Sequence, residues 1–163
     1  MILYHGSNLI IPQPELVPQN RYLDFGYGFY TTTNKVQAIS FADKVTRRRK
    51  EGTPSVSIYE LDDIAFSVCH VLRFSSADAS WLDYVSENRS GAYTGPQHDI
   101  IFGPVADDDV YTTFNLYTSG VFTKEQTLDA LKIKKLFDQL VLATEKSLSY
   151  LHFIGTVPQE ELL

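Results

Sequence analysis

The chain carries one cysteine, Cys69, in 163 residues, so no internal disulfide can brace it. That thiol ends the apolar run Ile64-Ala65-Phe66-Ser67-Val68-Cys69, where a buried thiol is expected. The four histidines (5, 70, 98 and 152) are scattered without zinc-site spacing, so no metal is expected. No apolar run reaches membrane length, and no charged segment with a cleavable hydrophobic stretch opens the sequence. A cytoplasmic protein with no membrane partner is the expectation. Excess positive charge is missing as well: the net charge is -6, and Thr46-Arg47-Arg48-Arg49-Lys50 is the one basic run. Cations suit the last turn of a helix, so a solvated helix end is the plain reading, with a phosphate-contacting patch as the alternative.

What is there fits one folded domain spanning 1–163. Hydrophobic residues make up 44% and charged residues 21%, which separates the chain from disordered segments. Ten Tyr and ten Phe are many for this length, and tyrosine suits strands and ligand surfaces because its ring packs while its hydroxyl hydrogen-bonds.

Ile2 to Tyr4 reads as a strand ending at Gly6, and Ile10 to Pro18, with three prolines, as an extended loop. Tyr22 to Thr33 suits a glycine turn entering a short strand. Asn34 is placed to cap a helix from Lys35 to Lys50, stopped by Gly52 and Pro54. Strands are expected over Ser55–Leu61 and Ala65–Phe74, and a helix over Ser80–Ser90. A buried strand follows over Asp99–Val105, then an acidic and β-branched stretch, Asp107–Thr113. Thr123 and Gln126 have capping-box spacing at the head of a further helix. Gln139–Ala143 and Tyr150–Ile154 read as the last strands, around a short turn at Glu145–Leu148. Strands with helices inserted early and late predict an α+β fold with a split mixed or antiparallel sheet, not a doubly wound one.

Three short motifs carry chemistry. His5-Gly6-Ser7 at a strand end supplies donors and acceptors around a residue whose backbone a ligand can approach closely. Phe25-Gly26-Tyr27-Gly28-Phe29-Tyr30 is a glycine-rich aromatic turn that is neither a phosphate-binding Walker loop nor a dinucleotide fingerprint. Phe41 follows eleven residues after Tyr30 on the expected helix. Each alone has a structural explanation; in this order they describe a clamp for a flat, polar ring.

In order and spacing these motifs resemble the NAD-binding half of ADP-ribosyltransferases of the poly(ADP-ribose) polymerase and diphtheria-toxin type. The resemblance implies that fold, with NAD as substrate. It assigns His5 to a ribose hydroxyl of NAD, the Gly6 backbone to the nicotinamide carboxamide, and Tyr30 and Phe41 to the two faces of the nicotinamide ring. Ser7 supports the site. The serine that family has three positions before the second aromatic is Ala38 here, which leaves Ser40 as the candidate over the carboxamide.

The same resemblance expects a glutamate at the start of a late strand, and Gln139 stands there. Cleaving the nicotinamide–ribose bond passes through an oxocarbenium-like state that a carboxylate stabilises. Glutamine can hold the ribose hydroxyl but brings no charge and is a poor base. Poly(ADP-ribose) elongation is therefore not expected, whereas mono-ADP-ribosylation is. Asp107, Asp108 and Asp109 are the candidate replacement base, since adjacent carboxylates raise one another's pKa; a solvated acidic turn is the alternative.

Across nearly the whole chain, Leu3-Tyr4-His5-Gly6-Ser7, Asp24-Phe25-Gly26, Gly103-Pro104-Val105-Ala106-Asp107-Asp108 and Asp138-Gln139 are also similar to a family of small, poorly characterised bacterial proteins. That likeness implies a toxin-type ADP-ribosyltransferase, a glycosyltransferase by class, acting on a macromolecular acceptor, with a small antitoxin as candidate partner. A catalytically inactive NAD or ADP-ribose reader and an NAD glycohydrolase are the rival readings.

Overall fold

A computed structural model describes residues 1–18, 23–105, 108–132 and 136–162. The strands are β1 (Ile2–Ser7), β2 (Phe29–Thr31), β3 (Ser55–Leu61), β4 (Val71–Arg73), β5 (Ile100–Pro104), β6 (Asp138–Leu142) and β7 (Leu151–Thr156). The helices are α1 (Lys35–Arg49), α2 (Ala65–Val68), α3 (Ala79–Ser90), α4 (Asp108–Thr118), α5 (Lys124–Lys132) and α6 (Glu145–Leu148). The protein is a mixed α+β molecule with two sheets. One is antiparallel in the order β1-β3-β7; the other runs β2-β6-β5-β4, with β4 and β5 parallel and its remaining pairs antiparallel.

The sheets join at a bridge between Tyr4 and Thr32, where Tyr4 N–H donates to Thr32 O at 2.8 Å and Thr32 N–H to Tyr4 O at 2.9 Å. Leu3, Phe29, Tyr59, Leu61, Leu140 and Leu142 form a core between them. The outer face of the second sheet, Ile101 and Val141, is covered by Trp81, Leu82 and Val85 of α3, Val110 and Phe114 of α4 and Leu131 of α5. Helix α1 covers the outer face of the first sheet through Ala38 and Ala42 on Val56. Strand β6 is thus buried on both faces, which explains its unbroken run Leu140-Val141-Leu142.

Caps behave as the sequence predicts. Asn34 accepts from Gln37 N–H at 3.0 Å to start α1, and Thr123 and Gln126 exchange the two capping-box bonds at 2.9 and 3.2 Å before α5. Arg47, Arg48 and Arg49 occupy the last turn of α1.

Two stretches depart from the sequence expectations. Ala65–Phe74 is not one strand: the N–H groups of Ala65 and Phe66 bond back to the carbonyls of Asp62 and Asp63, winding the turn α2, and only Val71–Arg73 is extended. Short apolar runs do not reveal which of the two they form. Beyond Asp107, the acidic and β-branched stretch is helix α4, with Val110, Thr113, Phe114 and Tyr117 at helical spacing on its packed face. Burial on the second sheet there outweighs β-branched propensity.

Candidate functional site

Gly6 marks where the two sheets part. Tyr4 spends both of its backbone groups on Thr32, and strand alternation turns the Gly6 N–H and C=O toward the same edge. Continuing that register would set Gly6 opposite Tyr30, but β1 and β2 share only the Tyr4–Thr32 bridge. No side chain fits at Gly6: a Cβ would lie 2.1 Å from the Ala38 carbonyl oxygen and 2.9 Å from Ala42 N. The absence of a side chain here lets α1 lie directly on β1.

His5 points the other way, toward the inter-sheet core, where its ring stacks on Phe29 with centroids 4.5 Å apart. Its Nδ1 lies 2.7 Å from the Tyr30 carbonyl. A carbonyl only accepts, so Nδ1 carries the proton and Nε2 presents a lone pair. Burial pushes the His5 pKa below its ordinary value, the carbonyl bond opposes this, and the Arg49 charge adds to the depression. The ring is therefore neutral at pH 7.

Tyr30 closes its own turn. Its hydroxyl donates to Gly26 O at 2.6 Å and accepts from Phe25 N–H at 3.0 Å. Burial raises its pKa far above the ordinary tyrosine range, so the hydroxyl stays protonated. Two glycines make the turn possible. Gly26 has φ +76°, and a Cβ at Gly28 would lie 2.5 Å from Val141 Cγ1. Asp24, at the turn's base, is ion-paired with Arg89 at 2.5 Å.

Gln139 lies on β6 opposite Gly103 of β5, buried, with its Nε2 unpartnered. An unfilled buried amide is costly, which marks the position as unusual. Strand alternation gives Gln139 the same face as Val141, whose β2 partner is Tyr30, and the face opposite to Leu140 and Phe29. The structure so brings Gln139 and Tyr30 to one face of the second sheet, while the His5 ring lies on the other and reaches Tyr30 through its backbone carbonyl.

The remaining expected residues are spread. Phe41 is 48% exposed on α1, one helical step round from Ala38. Ser7 is buried, with its hydroxyl 3.4 Å from Asn8 Oδ1. Ser40 is exposed: at 100° per residue it lies on the side of α1 opposite to Ala38 and Ala42, which cover Gly6. Asp107 lies outside the described residues; Asp108 and Asp109 are the first residues of α4.

Asn88 and Arg89 went unnoticed in the sequence, and Asp138 entered only as part of a motif, with no role of its own. Asp138 accepts from Thr33 N–H at 3.0 Å, from Thr32 Oγ1 at 3.2 Å and from the Thr33 hydroxyl, so it holds the segment between β2 and α1. Its only local signal is adjacency to Gln139. A cavity of about 730 Å³ opens at this end of the second sheet, lined among others by Phe74, Gly103, Leu131, Leu136 and Asp138. It neighbours Gln139 through Gly103 but does not include His5, Tyr30 or Phe41.

Among the described residues no group of three His, Cys, Asp or Glu side chains is placed to hold a metal, and no helix is long and apolar enough to cross a membrane. By architecture this is a mixed α+β protein of two sheets joined at one bridge. The chain belongs to the family described as "Protein of unknown function (DUF3990)", whose model matches residues 1–153. No curated protein and no solved structure matches it.

Proposed function

We propose that this protein is an NAD-dependent mono-ADP-ribosyltransferase with the split-sheet ADP-ribosyltransferase fold, acting on a macromolecule as a bacterial toxin-type effector with a small antitoxin as partner. The observation that carries the reading is the His5–Tyr30 bond at 2.7 Å, which couples the two motifs nearest the parting of the sheets. In this reading the nicotinamide ring lies along the free edge of Gly6, whose backbone N–H and C=O complement a carboxamide, with Tyr30 and Phe41 as its aromatic walls. The neutral His5 accepts a ribose hydroxyl at Nε2. The unpartnered Gln139 amide supplies a donor for a ribose oxygen, reached by rotation of its buried side chain.

In the reaction the bond between nicotinamide N1 and ribose C1′ breaks, and nicotinamide leaves with the bonding pair. C1′ is then attacked by an acceptor nucleophile that gives up its proton to a base or to water. Gln139 orients the ribose without contributing charge, so stabilisation of the cation falls to fixed dipoles. Asp107, Asp108 and Asp109, the acidic run at the head of α4, are the candidates for the base.

Gln139 also favours a second reading: a protein that binds NAD or ADP-ribose without turnover. One experiment separates the two, together with simple hydrolysis: nicotinamide release from NAD by wild type, Tyr30→Ala and Gln139→Glu, with and without cell lysate. Release that requires both lysate and Tyr30 supports the transferase. Release without lysate identifies a glycohydrolase. NAD bound by a silent wild type, with activity gained in Gln139→Glu, identifies a reader.

A further inference from the structure

We propose that Arg89, acting through Asp24, is a positioning residue for the His5–Tyr30 pair, so that the end of α3 sets the geometry of the cleft. Only the kinetic part of this inference rests on the proposed activity.

The guanidinium of Arg89 lies over two rings of α4, with Cζ 4.6 Å from the Tyr111 centroid and 4.7 Å from that of Phe114. Its Nε donates to Asp24 Oδ1 at 2.5 Å, and the two side chains are only 20% and 10% exposed. The two rings and the ion pair together hold the guanidinium, whose rigid fork directs its N–H at Asp24; a lysine ammonium has no such fork. Asn88, the preceding residue, braces the same turn: a Cβ on Gly26 would meet its Oδ1 at 2.8 Å. Two consecutive residues of α3 therefore back the turn from Asp24 to Gly28.

From that turn the geometry passes forward through hydrogen bonds. The Gly26 carbonyl accepts from the Tyr30 hydroxyl at 2.6 Å, and Phe25 N–H donates to the same oxygen at 3.0 Å. The Tyr30 carbonyl then takes the proton of His5 Nδ1. Removing Arg89 alone would leave Asp24 as an unpaired buried carboxylate, which the turn relieves by opening toward water. Tyr30 loses its anchor, and His5 loses the acceptor that selects its tautomer.

Histidine-selective ¹⁵N NMR reads this directly, without NAD. Wild-type His5 is expected as a single Nδ1–H tautomer. In Asp24→Asn/Arg89→Met, which removes the pair without stranding a charge, His5 is expected to shift to an averaged tautomer while the His70, His98 and His152 signals stay. Arg89→Lys, which keeps a cation for Asp24 but not the guanidinium over the two rings, gives a smaller shift in the same direction and serves if the double variant does not fold. An unchanged Nδ1–H tautomer in either folded variant overturns the proposal. With NAD as probe, the double variant raises KM about tenfold with kcat within about threefold, because binding geometry is lost rather than a reacting group. Arg89→Lys, which keeps the charge without the stack, recovers part of the KM. Should wild type neither bind nor cleave NAD, the proposed activity fails, yet the histidine spectrum still decides the role of Arg89.

Discussion

His5 and Tyr30, 25 residues apart in sequence, are joined by a 2.7 Å hydrogen bond from imidazole Nδ1 to the main-chain carbonyl. The bond settles the tautomer, ties β1 to β2 just beyond their bridge, and leaves Nε2 as the acceptor.

A pH dependence follows from this pair. The folded His5 pKa is below its ordinary 6.5, with burial as the main cause. The unfolded chain therefore binds a proton that the folded one refuses, and stability is full above about pH 6.5 and declines as pH falls toward the folded value. Urea midpoints at pH 7.5, 6.5 and 5.5 should drop in that order, and the slope should flatten in His5→Gln. The same slope in that variant would assign the effect to another group.

Tyr30→Phe deletes a hydroxyl that serves Gly26 O and Phe25 N–H together. Leaving two partly buried backbone groups short of a partner costs about 1–3 kcal/mol in urea unfolding. A loss below about 0.5 kcal/mol would mean that water replaces the hydroxyl at once.

Gln139→Met removes an amide whose Nε2 has no partner and keeps the side-chain volume. The variant is expected to be more stable by about 1 kcal/mol while its NAD affinity falls, the usual exchange of stability for function at a binding position. Calorimetry of both proteins, with and without NAD, checks the two halves separately. A less stable Gln139→Met protein would show that the amide serves the fold.

Gly6→Ala puts a methyl group 2.1 Å from the Ala38 carbonyl oxygen. That contact is backbone and cannot rotate away, so α1 must lift from β1, at a cost of about 1–3 kcal/mol or more. A thermal melt by circular dichroism should move down by several degrees. An unmoved midpoint would argue against so close a helix–strand approach.

Much of this was legible in the sequence where the cause is local. Asn34 and the Thr123–Gln126 pair declare helix starts because a side chain and a nearby N–H are all a cap needs. Gly26 and Gly28 declare a turn for the same reason. The windings at Ala65–Val68 and Asp108–Thr118 were not legible, since an apolar or β-branched run takes its form from the surface it packs on. Helix phase is equally invisible in a list of residues: Ser40, two positions from Ala38, lies on the opposite side of α1.

Neighbours a few residues away are enough to set the α+β class, most of the strands, the caps and the two glycine motifs, and these could be read from the residues alone. It took the packed layers to show that His5 bonds the backbone of Tyr30, that Gln139 is buried with an unpartnered amide, and that Arg89 reaches Asp24 from 65 positions on. Such contacts arise when strand pairing and helix packing exclude water around particular side chains, a property of the assembled layers that no local spacing encodes.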